Sequence, residues 1–226
     1  PEQLKDEFLN VLDLTKTILE KLSFTNYTAQ ISLRDPETPE KYIGSKENWD
    51  KAEQAIIEAT QEVGLKTVTE LGEAAFYGPK LDVQVKTALG NAETLSTIQL
   101  DFLLPERFEL TYVGEDGKNI YRPVVIHRGI VSTMERFVAY LIEEYKGAFP
   151  FWLAPVQVKI LPVNVEAHQE YVDQVHETLK IMGFRVESDL RDEKLGYKIR
   201  EVQTMKVPYS LVLGDKEKDE ALVTYR

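Results

Sequence analysis

Apolar side chains recur every three or four residues at the start of the chain and every second residue soon after. Leu4, Phe8, Val11, Leu12, Thr15, Ile18, Leu19 and Leu22 fall on one face of a helix expected over residues 1–23. Tyr27–Leu33 alternates like a strand. Residues 34–42 are polar and carry Pro36 and Pro39, a broken loop. Trp49, Ala52, Ala55, Ile56 and Ala59 mark a second helix over residues 47–63, ended by Gly64. Strand patterns then occupy residues 80–88, 95–103, 109–113 and 121–127, with Gly114–Gly117 as a hairpin turn. Strands joined by tight turns predict an antiparallel sheet. A helix after Gly129, carrying Phe137, Tyr140, Leu141 and Tyr145, is expected to cover it.

The rhythm changes after residues 147–155, where a glycine and two prolines break the pattern. Phe149, Phe151 and Trp152 there are candidates to pin a junction between units. Beyond it, residues 156–162, 185–188, 209–213 and 221–225 read as strands. Residues 167–182 and 194–205 read as helices, with Gly183 as a cap. Strands alternating with helices imply crossover connections and a largely parallel sheet. The expected organisation is an α+β domain over residues 1–150, with an antiparallel sheet and flanking helices. A smaller α/β domain with a mostly parallel mixed sheet follows over residues 154–226. No internal repeat or low-complexity segment interrupts either.

Composition narrows the function classes. With 226 residues, 43% hydrophobic and 29% charged, the chain is long enough for proper cores and ordinary for a soluble protein. No apolar run approaches membrane-spanning length, and no signal-peptide pattern opens the sequence. The absence of cysteine excludes disulfides and thiolate metal ligands within it, which fits the cytoplasm. A net charge of −11 argues against a general nucleic-acid binder. The charge is uneven, however. Residues 154–226 carry 11 basic and 13 acidic residues, against 16 and 25 before them, and residues 191–206 hold five basic and three acidic ones. That stretch is a local patch suited to phosphate.

Candidate chemistry concentrates in Pro123-Val-Val-Ile-His-Arg-Gly-Ile-Val-Ser-Thr-Met-Glu-Arg136-Phe137. It reads as a β-branched strand ending on His127, a small-residue turn, and a helix with Arg136 near its first turn. Gly129, Ser132 and Thr133 leave room for a bulky ligand, and a guanidinium suits polyphosphate. On the residues alone the structural reading is favoured. A histidine at a strand end is more often hydrogen-bonded scaffold, and a Glu-Arg pair on a helix is usually a solvated face.

The run resembles the third signature motif of class II aminoacyl-tRNA synthetases, and more narrowly that of threonyl-tRNA synthetases. Glu73-Ala-Ala-Phe-Tyr-Gly-Pro-Lys-Leu-Asp82 and Ser96-Thr-Ile-Gln-Leu-Asp-Phe102 accompany it in the family's order. Essentially the whole chain is covered, as the back half of such an enzyme without the first two signature motifs or the editing domain. The resemblance implies ATP-dependent activation of L-threonine to the adenylate, then transfer to threonine tRNA, by a cytoplasmic homodimer. It assigns His127 as one of three ligands of a catalytic zinc that takes the amino group and hydroxyl of threonine. Such a metal rejects valine in a way an apolar pocket does not. The other two ligands, a Cys and a His, would precede Pro1, so the isolated chain is expected to lack zinc and activity.

The same resemblance gives Tyr77 and Gln99 to threonine, and Arg136 to the ATP γ-phosphate, with Mg²⁺ accompanying ATP. Thr94 stands near ATP where many relatives have Gln, and Leu95-Ser96 replaces a Cys-Gly pair. The pattern lets Gln99 share a face with Thr97 and Asp101 only if a bulge intervenes. Lys80 reads equally as a pocket residue or a strand-start charge. In the tail, residues 192–201 and 214–217 resemble the anticodon-binding domain shared by the threonyl, prolyl, histidyl and glycyl enzymes. There Asp192, Lys194, Arg200, Glu217 and Arg226 are candidates for the anticodon, with Lys198 beside them for phosphate or base edges. Two alternatives remain open: a prolyl-type synthetase, and a non-catalytic RNA-binding or regulatory module.

Overall fold

The protein is described by a computed structural model over residues 3–87 and 90–225. It divides into two compact units, residues 1–138 and 139–226. The division falls ahead of the proline-broken stretch at 147–155.

In the first unit, α1 (Leu4–Lys21) and α2 (Lys46–Glu62) pack side by side on a five-stranded sheet. Acidic Asp6 and Glu7 sit in the first turn of α1, where the helix dipole favours them. The Ser45 hydroxyl caps α2 by accepting the Asn48 amide at 3.2 Å. The sheet runs β2 (Thr67–Leu71), β1 (Tyr27–Leu33), β3 (Lys80–Lys86), β4 (Ala92–Asp101), β7 (Val125–Gly129). All pairings are antiparallel except β1 with β2. Phe8, Leu12, Ala52, Ile56 and Ala59 from the helices meet Ala29, Ile31, Leu81, Ile98 and Leu100 from the strands. The helix pair supplies this cover, in place of the helix expected after Gly129.

Several expectations shift. β2 was not foreseen, because this edge strand has hardly any buried face to imprint alternation; Val68 and Leu71 are exposed. The strand expected to reach residue 103 ends at Asp101. Its carboxylate turns the chain into α3 (Leu103–Arg107), with Oδ1 accepting the Leu103 and Leu104 amides at 2.9 Å each. The expected hairpin is present as a separate ladder of β5 (Tyr112–Val113) and β6 (Ile120–Tyr121). β7 continues to Gly129, so His127 lies inside its strand rather than at the end. The residue Leu95 has no partner opposite it: Val83 pairs with Ser96 and Gln84 with Thr94. This is a bulge, the point where β4 changes its facing.

The helix α4 (Met134–Tyr145) follows, with Tyr140 and Leu141 buried. The second unit has a sheet ordered β11 (Thr224–Tyr225), β10 (Tyr209–Leu213), β8 (Val158–Pro162), β9 (Val186–Ser188). It is parallel apart from β11. The helix α5 (Val165–Ile181) connects β8 to β9, and α6 (Leu195–Thr204) connects β9 to β10. A short helix missed in the sequence, α7 (Asp215–Glu220), precedes β11. Val158, Ile160, Val172, Leu211 and Leu213 form the core. Phe151 packs on Phe184 and Tyr209 within this unit. Trp152 is exposed. Among the described residues, no helix is long and apolar enough to cross a membrane.

Candidate active site

Successive side chains of a strand point to opposite faces of the sheet. With Ala29, Ile31, Leu81, Ile98 and Leu100 turned to the helices, the intervening residues share the far face. The register places Lys80 opposite Gln99 and Gln99 opposite His127, with Asp82 opposite Thr97. The expected bulge between Thr97, Gln99 and Asp101 is not needed. Plain alternation aligns these three, and the bulge lies upstream at Leu95.

The polar residues of this face are linked to one another. The Tyr77 hydroxyl donates to Gln99 Oε1 at 2.6 Å, and its ring stands edge-on to His127 with centroids 6.0 Å apart. His127 Nε2 lies 2.8 Å from Asp101 Oδ2. Lys80 pairs with Asp82 at 2.7 Å, and the Thr97 hydroxyl donates to Asp82 Oδ1 at 2.6 Å. Both carboxylates are sunk into the sheet, Asp101 at 0% and Asp82 at 3% exposure, while the His127 side chain keeps 41%. Burial, with the Asp101 carboxylate nearby, pushes the Tyr77 phenol above its ordinary pKa, so it remains a donor.

Tyr77 is held there by a close backbone crossing. Gly78 lies against β4 so tightly that a Cβ would stand 1.7 Å from the Leu100 carbonyl oxygen. The Leu100 amide donates to the Pro79 carbonyl at 3.1 Å across the same crossing. The turn into α4 is anchored by the Ser96 hydroxyl, which donates to the Ile130 carbonyl. Ser132 adopts a positive φ of 60° in that turn, and space is open beside Gly129. Arg136 is in the first turn of α4, exposed, with no hydrogen bond or ion pair among the described residues. Thr94 is half-buried at the edge of the bulge.

Among the described residues no group of three His, Cys, Asp or Glu can hold a metal. His127 offers one imidazole on the open face, backed by a carboxylate, which fits one ligand of a zinc site. The other histidines are engaged in the second unit. His168 Nε2 lies 2.9 Å from Asp215 Oδ1, and His176 Nδ1 lies 2.8 Å from the Ser188 hydroxyl. Asp101, Asp82 and Ser96 were missed as site residues from the sequence, although strand alternation from Gln99 points to Asp101.

In the tail, Asp192, Lys194 and Arg200 are exposed around the start of α6. Lys198 is not available to a ligand: it is 1% exposed, and its Nζ donates to the Asp189 carbonyl at 3.0 Å. Arg191 is committed to Asp189 at 2.6 Å and to Glu201. Glu217 is engaged internally, accepting the Gly214 amide at 3.0 Å and the Thr224 hydroxyl at 2.7 Å. The Thr224 hydroxyl and the Gly214 amide hold its carboxyl below the usual range. Arg226 lies outside the described residues.

Residues 1–145 match the family described as tRNA synthetase class II core domain (G, H, P, S and T). Residues 157–226 match that described as anticodon binding domain. All 226 residues align at 61% identity with a threonine–tRNA ligase of Acholeplasma laidlawii and at 62% with one of Oceanobacillus iheyensis. The chain spans 35% of the length of each. It is also similar to the solved RNA binding domain of threonyl-tRNA synthetase from Cryptosporidium parvum. That match has a TM-score of 0.90 at 35% identity and covers 100% of this chain and 55% of that one. With its core-domain match extending over more than half its length, the chain belongs to the class II tRNA synthetases.

Proposed function

We propose that this sequence works within a threonine–tRNA ligase, which joins L-threonine to the AMP moiety of ATP as threonyl-adenylate with release of pyrophosphate, and then transfers the threonyl group to threonine tRNA with release of AMP. The observation that carries the reading is the polar sheet face on which Tyr77, Gln99 and His127 adjoin one another. Zinc, held through His127 and ligands from elsewhere in the protein, would supply a Lewis acid selective for the substrate hydroxyl. Gln99, its oxygen taken by the Tyr77 hydroxyl, keeps its amide N–H groups for substrate. The pair fixes the amino acid against the sheet, a positioning role. Lys80 is paired to Asp82 and sets the charge at the margin of this face.

Arg136 stands unpaired at the helix start and neutralises the ATP γ-phosphate as pyrophosphate leaves, with Mg²⁺ accompanying the nucleotide. Thr94 borders the nucleotide. The domains are residues 1–150 for activation and 154–226 for the anticodon. Asp192, Lys194 and Arg200 meet the anticodon stem-loop, while Glu217 shapes the adjoining turn; Arg226 is assigned to the anticodon by its place in the sequence alone. The working protein is a cytoplasmic homodimer.

Threonine-dependent ATP–pyrophosphate exchange by the full-length gene product, with serine, valine and proline as competitors, tests the reading. Exchange with threonine is expected, with valine rejected. His127→Ala should abolish exchange and release zinc. Exchange driven by proline, or no exchange with any amino acid, would refute it.

A further inference from the structure

Asp101 is the most deeply buried charge on the polar face, and the reaction as described gives it no part. Its two oxygens have separate duties. Oδ1 accepts both amides that open α3, and Oδ2 faces His127 Nε2 at 2.8 Å. Ionised, it accepts and does not donate. A neutral imidazole in this contact therefore carries its proton on Nε2. The lone pair is then on Nδ1, the nitrogen turned away from Asp101.

We infer that Asp101 is the positioning residue that fixes His127 as the Nε2–H tautomer and presents its Nδ1 lone pair to a divalent metal on the open face. The inference rests on the reading of His127 as a metal ligand. A ligating histidine usually donates its second ring nitrogen to a carboxylate or carbonyl, which sets both tautomer and ring plane. Here that partner is itself immobilised. Two backbone amides at a helix start clamp one carboxylate oxygen, and the strand pairing of Gln99 with His127 fixes the distance across the sheet. The Tyr77 ring, edge-on at 6.0 Å, flanks the imidazole. A carboxylate on a flexible surface side chain would not hold a ring plane in this way.

Asp101→Asn separates the duties. The Asn oxygen can still accept the Leu103 and Leu104 amides, but its NH₂ then faces the ring and donates to Nε2. The proton moves to Nδ1 and blocks the metal-facing lone pair. Long-range ¹H–¹⁵N correlation spectra of the ¹⁵N-labelled 226-residue chain report the tautomer of each of its three histidines, with His127 assigned by its loss in His127→Gln. Recorded where the rings are neutral, the unsubstituted chain should show His127 as Nε2–H, and Asp101→Asn should invert it. In the full-length gene product, Asp101→Asn should weaken zinc affinity by about 10- to 100-fold in chelator competition. His127→Gln should lose the metal outright.

An Nδ1–H tautomer in the unsubstituted chain overturns the inference even if the variant does not fold. So does unchanged zinc affinity in Asp101→Asn when His127→Gln has lost its metal. Full zinc retention by His127→Gln instead overturns the metal reading itself, and the spectra alone then decide whether Asp101 sets the tautomer.

Discussion

Gly78→Ala is the sharpest test of how the polar sheet face is built. The added Cβ would stand 1.7 Å from the Leu100 carbonyl oxygen. A carbon resting against a carbonyl oxygen needs about 3.3–3.6 Å, so the loop must retreat from β4 by roughly 1.5–2 Å. That motion carries Tyr77 away from Gln99 and ends their 2.6 Å hydrogen bond. A misplacement of about 1 Å at a reacting centre is worth on the order of 100-fold in rate. In the full-length gene product, threonine-dependent pyrophosphate exchange should fall by at least that factor in kcat/KM. Overpacking should also lower the stability of the chain by about 1–3 kcal/mol in urea unfolding. Tyr77→Phe is the companion. It leaves the backbone in place and removes one neutral hydrogen bond, about 0.5–1.5 kcal/mol, so it should be much milder. A Gly78→Ala protein with unaltered unfolding midpoint and unaltered exchange would refute the account of the crossing.

Arg136→Ala in the full-length gene product should slow adenylate formation by about 2–4 kcal/mol of barrier, with the fold intact. Unchanged single-turnover adenylation would remove Arg136 from the nucleotide site. Arg200→Ala should weaken threonine tRNA binding more than it alters threonine activation. Binding measured with anticodon-variant tRNAs then separates base reading, a loss that shrinks when the base is changed, from phosphate contact, a uniform loss. No loss with any tRNA would leave Arg200 a solvated side chain. Asp189 is held below the usual carboxylate range, first by its hydrogen bonds from Arg191. Its stabilisation is complete above the ordinary carboxylate pKa of about 3.9 and fades as pH falls through the lower folded value. Asp189→Asn should therefore flatten the acid limb of the thermal stability curve below about pH 4. Parallel acid limbs in both proteins would contradict this.

The helices and main strands were legible because each has one buried face. The period of 3.6 in α1 and the alternation in β1 are imprints of the same core. Elements without such a face left no imprint. β2 is an almost wholly exposed edge, and α7 has no buried residue. α3 depends on the Asp101 cap, a contact that only the folded strand end creates. The candidate site residues could be proposed from their order along the chain, but not their coupling. His127 and Asp101 are 26 positions apart, and only the antiparallel register brings them together. The tail misled in one respect. Lys198 looks like a patch residue by charge, yet it points beneath its helix, because the sequence does not state which side of α6 meets β8.

That inward lysine gives the second unit a built-in chemical reporter. Acylating reagents attack an amine only where they can reach it. The Lys198 Nζ is enclosed and held by the Asp189 carbonyl, whereas Lys194, just before α6, is open to solvent. Under brief treatment with an amine-reactive label, Lys194 records the surface. Lys198 reacts only in the interval when α6 lifts from its sheet. The ratio of the two modifications, followed residue by residue in a mass spectrum, therefore measures how often the second unit breathes open.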